Sequence, residues 1–115
     1  IKHGAVADNE SVYAIEDQYP VTPGHHLIIP RRHTEDYFSM STNERQQADE
    51  LLRMLKNKIM QDDANVSGFN VGMNCGVTAG QTVMHAHIHL IPRRDGDVHQ
   101  PQGGVRGCVP TKMSY

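Results

Sequence analysis

Met84-His85-Ala86-His87-Ile88-His89-Leu90-Ile91 sets a histidine at every second position, with small or apolar residues between. Period-two alternation is the pattern of a strand with two unlike faces. On a strand, His85, His87 and His89 share one side while Ala86, Ile88 and Leu90 enter a core. A helix would fan the three rings apart by about 100° per residue. The strand is therefore also the arrangement in which the three imidazoles can act together. Buried imidazole nitrogens need hydrogen-bond partners, so three in register argue for chemistry. One reading is metal ligation by His-x-His. The other is attack on phosphorus by a neutral imidazole whose neighbours handle protons.

Working outward, Ala79-Gly80-Gln81-Thr82-Val83 precedes the histidines. A glycine lets backbone approach a ligand, and Gln81 and Thr82 add side-chain donors suited to phosphate oxygens. Phe69 to Asn74 alternates with Phe69, Val71 and Met73 on one face, a fourth strand. The turn Cys75 to Gly80 then predicts a short antiparallel hairpin to the histidine strand. Ser41-Thr42-Asn43-Glu44 fits a capping box. The helix it opens carries Ala48, Leu51, Leu52, Leu55 and Ile59 as one apolar stripe. Ser11 to Glu16 and His25 to Ile29 read as strands two and three. They are separated by a loop with Pro20, Pro23 and Gly24, and the third stops at Pro30. Ala5-Val6-Ala7 makes a short first strand in a weakly patterned opening, Ile1 to Glu10. A short helical turn falls around Glu35 to Phe38. After Pro92 the chain is rich in Gly, Pro and charge.

The class is α+β: an antiparallel sheet of about five strands, one long amphipathic helix and a short helix, in a single domain over 1–115 with 92–115 as a C-terminal arm. The 115 residues, net charge of −2 and 21% charged residues describe an ordinary soluble protein. No basic excess points to nucleic acid, and no apolar run reaches the ~20 residues of a membrane span. No signal peptide is read, and Cys75 and Cys108 do not make a disulfide framework. A cytoplasmic setting is the expectation.

Gly80 to Ile91 resembles the signature of the histidine triad (HIT) family, His-φ-His-φ-His-φ-φ with φ apolar. Thr22-Pro23-Gly24-His25-His26-Leu27-Ile28-Ile29-Pro30-Arg31-Arg32-His33 resembles the family segment with a fourth active-site histidine, and the count back from Pro30 selects His25. The likeness runs in order from about Ser11 to Ile91. It implies that His87 is the nucleophile toward the α-phosphorus of a nucleotide ester, anhydride or phosphoramidate. His89, or a backbone carbonyl near it, would fix the His87 tautomer. His85 and His25 would relay a proton to the leaving group, and water would cleave the nucleotidyl-histidine. Gln81 and Thr82 would hold phosphate oxygens, and Asp17 the ribose hydroxyls. Asn74 occupies another polar position of the family site. Ile15, sharing a strand face with Asp17, is a candidate for the base pocket, with core packing as an equal account.

His89 stands where the family's sugar-phosphate transferases carry Gln, so the resemblance implies a hydrolase. The alternatives are a nucleotidyl transferase and a purine nucleotide-binding or scaffold protein with little turnover. A metal protein using the three histidines ranks last, because it leaves Asp17, His25, Gln81 and Thr82 unexplained. No cofactor or metal is expected, magnesium entering at most with the substrate, and no structural zinc within these 115 residues, which hold no Cys pair like the one near the N-terminus of many relatives. A homodimer is implied, joined through the long helix and a neighbouring strand. The tail Asp95 to Gly107 resembles a bacterial-type branch. It reads as a surface arm or dimer contact, with Arg106 reaching a phosphate as the other account.

Overall fold

A computed structural model describes residues 4–115, so the expectation for the opening three residues lies outside the described part. Five strands form one antiparallel sheet: β1 (Ala5–Asp8), β2 (Val12–Glu16), β3 (His26–Pro30), β4 (Val66–Gly72) and β5 (Ile88–Arg94). Their order across the sheet is β1-β2-β3-β5-β4. The helix α1 (Thr42–Asp62) lies between β3 and β4 in the chain and packs on one face.

Apolar alternation puts Val12, Ala14, Ile28, Ala86, Ile88 and Leu90 on the face that meets α1, where Ala48, Leu51 and Leu55 are buried. Leu52 and Ile59 flank that stripe, and Phe69 and Met73 close its β4 side. Val71 stays half exposed, although its parity matches Phe69, because β4 is the last strand of the sheet.

The capping box is present. Ser41 Oγ accepts the Glu44 N–H at 3.0 Å, and the Glu44 carboxylate accepts the Ser41 N–H at 2.8 Å. Arg32 holds the other side of the Glu44 carboxylate, which satisfies this buried charge and draws its pKa below the ordinary value. Ser41→Ala should cost about 1 kcal/mol. A urea midpoint equal to wild type would contradict this.

The structure differs from the sequence reading at three joints. The histidine strand begins at Ile88, not Met84. β4 ends at Gly72, opposite His89, so the residues before it lose that partner. The Ala86 N–H instead donates to the Thr34 carbonyl at 2.8 Å. β4 and β5 do pair antiparallel, but residues 73–87 join them as a long loop, with a 3₁₀ turn at Val77–Ala79, rather than a tight hairpin. β5 also continues through Pro92 to Arg94, which moves the start of the arm to residue 95. Proline is tolerated there because the β3 ladder stops at His26 opposite Leu90. The Pro92 carbonyl points to that same open side and accepts the Thr22 hydroxyl at 2.7 Å. The short helical turn falls at Tyr37–Ser39, and two more turns, Gly104–Cys108 and Pro110–Lys112, shape the arm.

Candidate active site

Opposed residues of paired strands share a face, so the register sets Ile15, Leu27 and His89 in one row across the outer side of the sheet. His85, His87 and His89 are half-buried, alternating with buried Ala86, Ile88 and Leu90. The two-face pattern thus extends beyond the regular strand.

His87 Nδ1 lies 2.8 Å from the carbonyl oxygen of His85. A carbonyl only accepts, so Nδ1 carries the proton and the lone pair of the neutral ring is at Nε2. The fixing partner is the backbone carbonyl and not His89. The His89 ring stands 5.4 Å away, centre to centre, at 67°.

His25 is buried behind that pair. Its Nδ1 accepts the Val21 N–H at 3.1 Å, so its proton sits on Nε2. That N–H faces His89 Nδ1 at 2.9 Å and Asp17 Oδ2 at 3.3 Å. His89 Nδ1 is thereby an acceptor and its own proton is on Nε2. Burial lowers the pKa of both rings. Asp17 opposes the shift at each; His26 reinforces it at His25, and His25 and His87 reinforce it at His89. The folded state therefore holds fewer protons than the unfolded chain just below the ordinary value of 6.5. These two groups favour folding fully above that pH and progressively less as pH falls through it toward their folded values. The urea midpoint should drop between pH 7.5 and 5.5, and His25→Gln should reduce the drop. An identical pH profile in the variant would remove this account.

His85 is placed differently from the expected relay. Its Nε2–H donates to the Pro30 carbonyl at 2.8 Å, and the His33 ring meets it edge-on at 5.0 Å. The partner of His25 is His89, not His85. Gln81 also departs from its expected role. Its amide is 2% exposed, accepting the Gly76 N–H at 2.7 Å and donating to the carbonyls of Glu35 and Val83. It clamps the loop before the histidines and has no donor left for phosphate. Thr82 is exposed, and so is Asn74, whose amide lies against Gly80. At φ +101° a side chain on Gly80 would be strained by the backbone, while its Cβ would meet Asn74 only at ordinary contact distance. Asp17 keeps Oδ1 on the Tyr19 N–H at 2.8 Å and turns Oδ2 to His25. Ile15 is half-buried beside Leu27. Arg106 is turned onto its own arm, donating to the Lys112 carbonyl and stacking 5.0 Å over Tyr115.

Asp17, His25 and His89 bring one ligating atom each within 4.8 Å of the others. As protonated, they do not fit a cation. The His25 atom that would ligate is the one holding the proton, because the Val21 N–H occupies Nδ1. The sequence held no signal for these backbone partners at Val21, His85 and Pro30, since any residue supplies an N–H or a carbonyl.

Three comparisons bear on the chain. The model of the HIT domain family matches residues 1–96. An uncharacterized HIT-like protein of Mycoplasma genitalium is 35% identical over 88 residues, 76% of this chain and 62% of that protein. A Mycobacterium tuberculosis protein named AP-4-A phosphorylase is 32% identical over 97 residues, 82% of this chain and 48% of its own length. The crystal structure of a hypothetical histidine triad nucleotide-binding protein from Sulfolobus tokodaii aligns with a TM-score of 0.75 at 32% identity, over 82% of this chain and 62% of that one. The chain thus spans about half to two thirds of the length of these relatives. Among the described residues, no helix is long and apolar enough to cross a membrane.

Proposed function

Since the chain belongs to the HIT domain family, we propose that it is a hydrolase of nucleotide conjugates, cutting at the α-phosphate through a nucleotidyl-histidine on His87. The observation that carries the reading is the His87 ring, whose Nδ1–H is tied to the His85 carbonyl while Nε2 keeps its lone pair. His87 Nε2 forms a bond to the α-phosphorus and the bond to the leaving group breaks. The His85 carbonyl steadies the positive charge that attack places on the ring. As it departs, the leaving group takes a proton from a water oriented by the Nε2–H of His89, which His25 and Asp17 hold in place. In the second step the hydroxide left behind forms the new P–O bond and the P–N bond to His87 breaks. General acid–base help of this kind is worth about 10²–10⁴-fold.

The nucleoside fits the side of the row where Ile15 and Leu27 offer an apolar strip and Asp17 a ribose acceptor. Thr82, Asn74 and the backbone N–H groups of the 73–87 loop remain to receive phosphate, while Gln81 holds that loop in shape. The homodimer of the family suits the free edge of β4, and the cytoplasm suits a nucleotide substrate. Dinucleoside polyphosphates and nucleoside phosphoramidates are the substrate classes proposed, with a purine base and without a required metal.

A second reading is transfer of the nucleotidyl group to inorganic phosphate, in line with the name of the Mycobacterium tuberculosis relative. The test is a panel of diadenosine tetraphosphate, diadenosine triphosphate and adenosine 5′-phosphoramidate, run with chelator and with magnesium, and again with added phosphate. AMP release supports hydrolysis. ADP appearing from the phosphoramidate only when phosphate is present supports transfer. Binding of AMP with no turnover of any substrate would leave a binding role and overturn the enzyme reading.

A further inference from the structure

One cleft lies beyond the histidine row and outside the roles assigned above. It runs between the outer face of the sheet and the arm, with a volume of about 390 Å³. Ile91 and Arg93 form its floor, Val21 one wall, and Val98, Val105 and Cys108 the arm side. Val21, Val98 and Val105 are 67%, 46% and 66% exposed, so three apolar side chains are held open to solvent around one hollow. Apolar surface grouped in this way marks a place that something covers.

None of the described histidines lines the cleft, but two of its lining residues, Ile91 and Val21, adjoin the histidine row. Ile91 is the next residue after His89 on the same face of β5, and such neighbours are spaced by about 7 Å. Val21 lines the cleft and also supplies the N–H that fixes His25, while its neighbour Thr22 accepts the His25 N–H at 3.2 Å. The row therefore has an apolar surface on each side. One is the Ile15 and Leu27 strip toward β2, and the other is this cleft toward β4 and the arm. A substituted phosphate has two such substituents to place.

Charge narrows the choice. Arg93 is the one guanidinium lining the cleft, and all three of its nitrogens are engaged. Nε and Nη2 grip the Asp97 carboxylate at 2.8 Å each, and Nη1 donates to Asn70 at 2.8 Å. The Asp97 carboxyl is held far below its ordinary pKa by that grip, so the pair stays mutually neutralised. Among the described residues, no unpaired cation lines the hollow to attract a chain of phosphates.

We propose that this arm-covered cleft is the leaving-group subsite, and that it takes an uncharged apolar body joined to phosphorus in preference to a polyphosphate chain. The proposal rests on the hydrolase reading above. The test compares adenosine 5′-phosphoramidate with its N-(4-phenylbutyl) derivative, whose ring has the reach to enter the cleft. The native protein should favour the phenylbutyl compound in kcat/KM by about tenfold or more. Val105→Trp, on the exposed arm side, should fill the cleft and lower that ratio about tenfold. N-ethylmaleimide on Cys108, in a Cys75→Ser protein, should do the same without a new core contact. Ratios equal to that of the native protein in both would overturn the proposal. So would a change of molar mass in Val105→Trp with the ratio intact, since the cleft would then belong to a second copy of the chain. If the native protein hydrolyses neither compound, the hydrolase reading fails first and this proposal with it.

Discussion

His87→Asn is expected to lower kcat/KM by roughly 10³–10⁶-fold, the range that follows loss of a covalent nucleophile. The reason is local. Asn keeps a donor near the His85 carbonyl, but it has no ring nitrogen where Nε2 now carries a lone pair. The substitution removes the bond-forming atom and little else. His87 is half-buried and outside the apolar core, so folding should be spared. AMP affinity should stay within about a factor of ten. Equilibrium binding measured beside turnover separates the two effects. A variant that still turns over at more than about a tenth of the native rate would show that water attacks phosphorus directly.

Leu90→Ala should have the largest effect on stability, about 2–5 kcal/mol. Leu90 is 2% exposed on the α1 side of β5, between His89 and Ile91, which face the other way. β5 is paired on both flanks there, with His26 of β3 and Val71 of β4. The space left by the side chain cannot close by moving one strand, so the loss includes a cavity term. In urea the midpoint should fall with the slope unchanged. A loss below about 1 kcal/mol would mean that the helix settles into the gap.

The period-two run around the histidines was the most legible part of the chain, because alternation and burial are set by the same geometry. Ala86, Ile88 and Leu90 are buried and the histidines are not fully so, even where the regular ladder is lost. The Ser41–Glu44 box was legible for a similar reason: its partners lie within one turn of sequence. Gln81 was misread. Its position beside the histidines implied a phosphate donor, but its partners are Gly76 and Glu35, and the Glu35 carbonyl lies 46 residues away. No local pattern encodes such a contact. Pro92 misled for the opposite reason. A proline reads as a stop unless it is known which side of the strand lacks a partner, and that depends on where β3 ends. The pairing of His25 with His89 rather than His85 likewise follows from the β3–β5 register, which sets Leu27 against His89.

The central claim, a nucleotidyl-histidine on His87, is tested most directly by stereochemistry at phosphorus. An adenosine 5′-phosphorothioate conjugate of one configuration would be hydrolysed in water enriched in one heavy oxygen isotope, and the configuration of the product determined. Two successive displacements, first by His87 Nε2 and then by water, predict retention. Inversion would mean a single attack by water and would contradict the account.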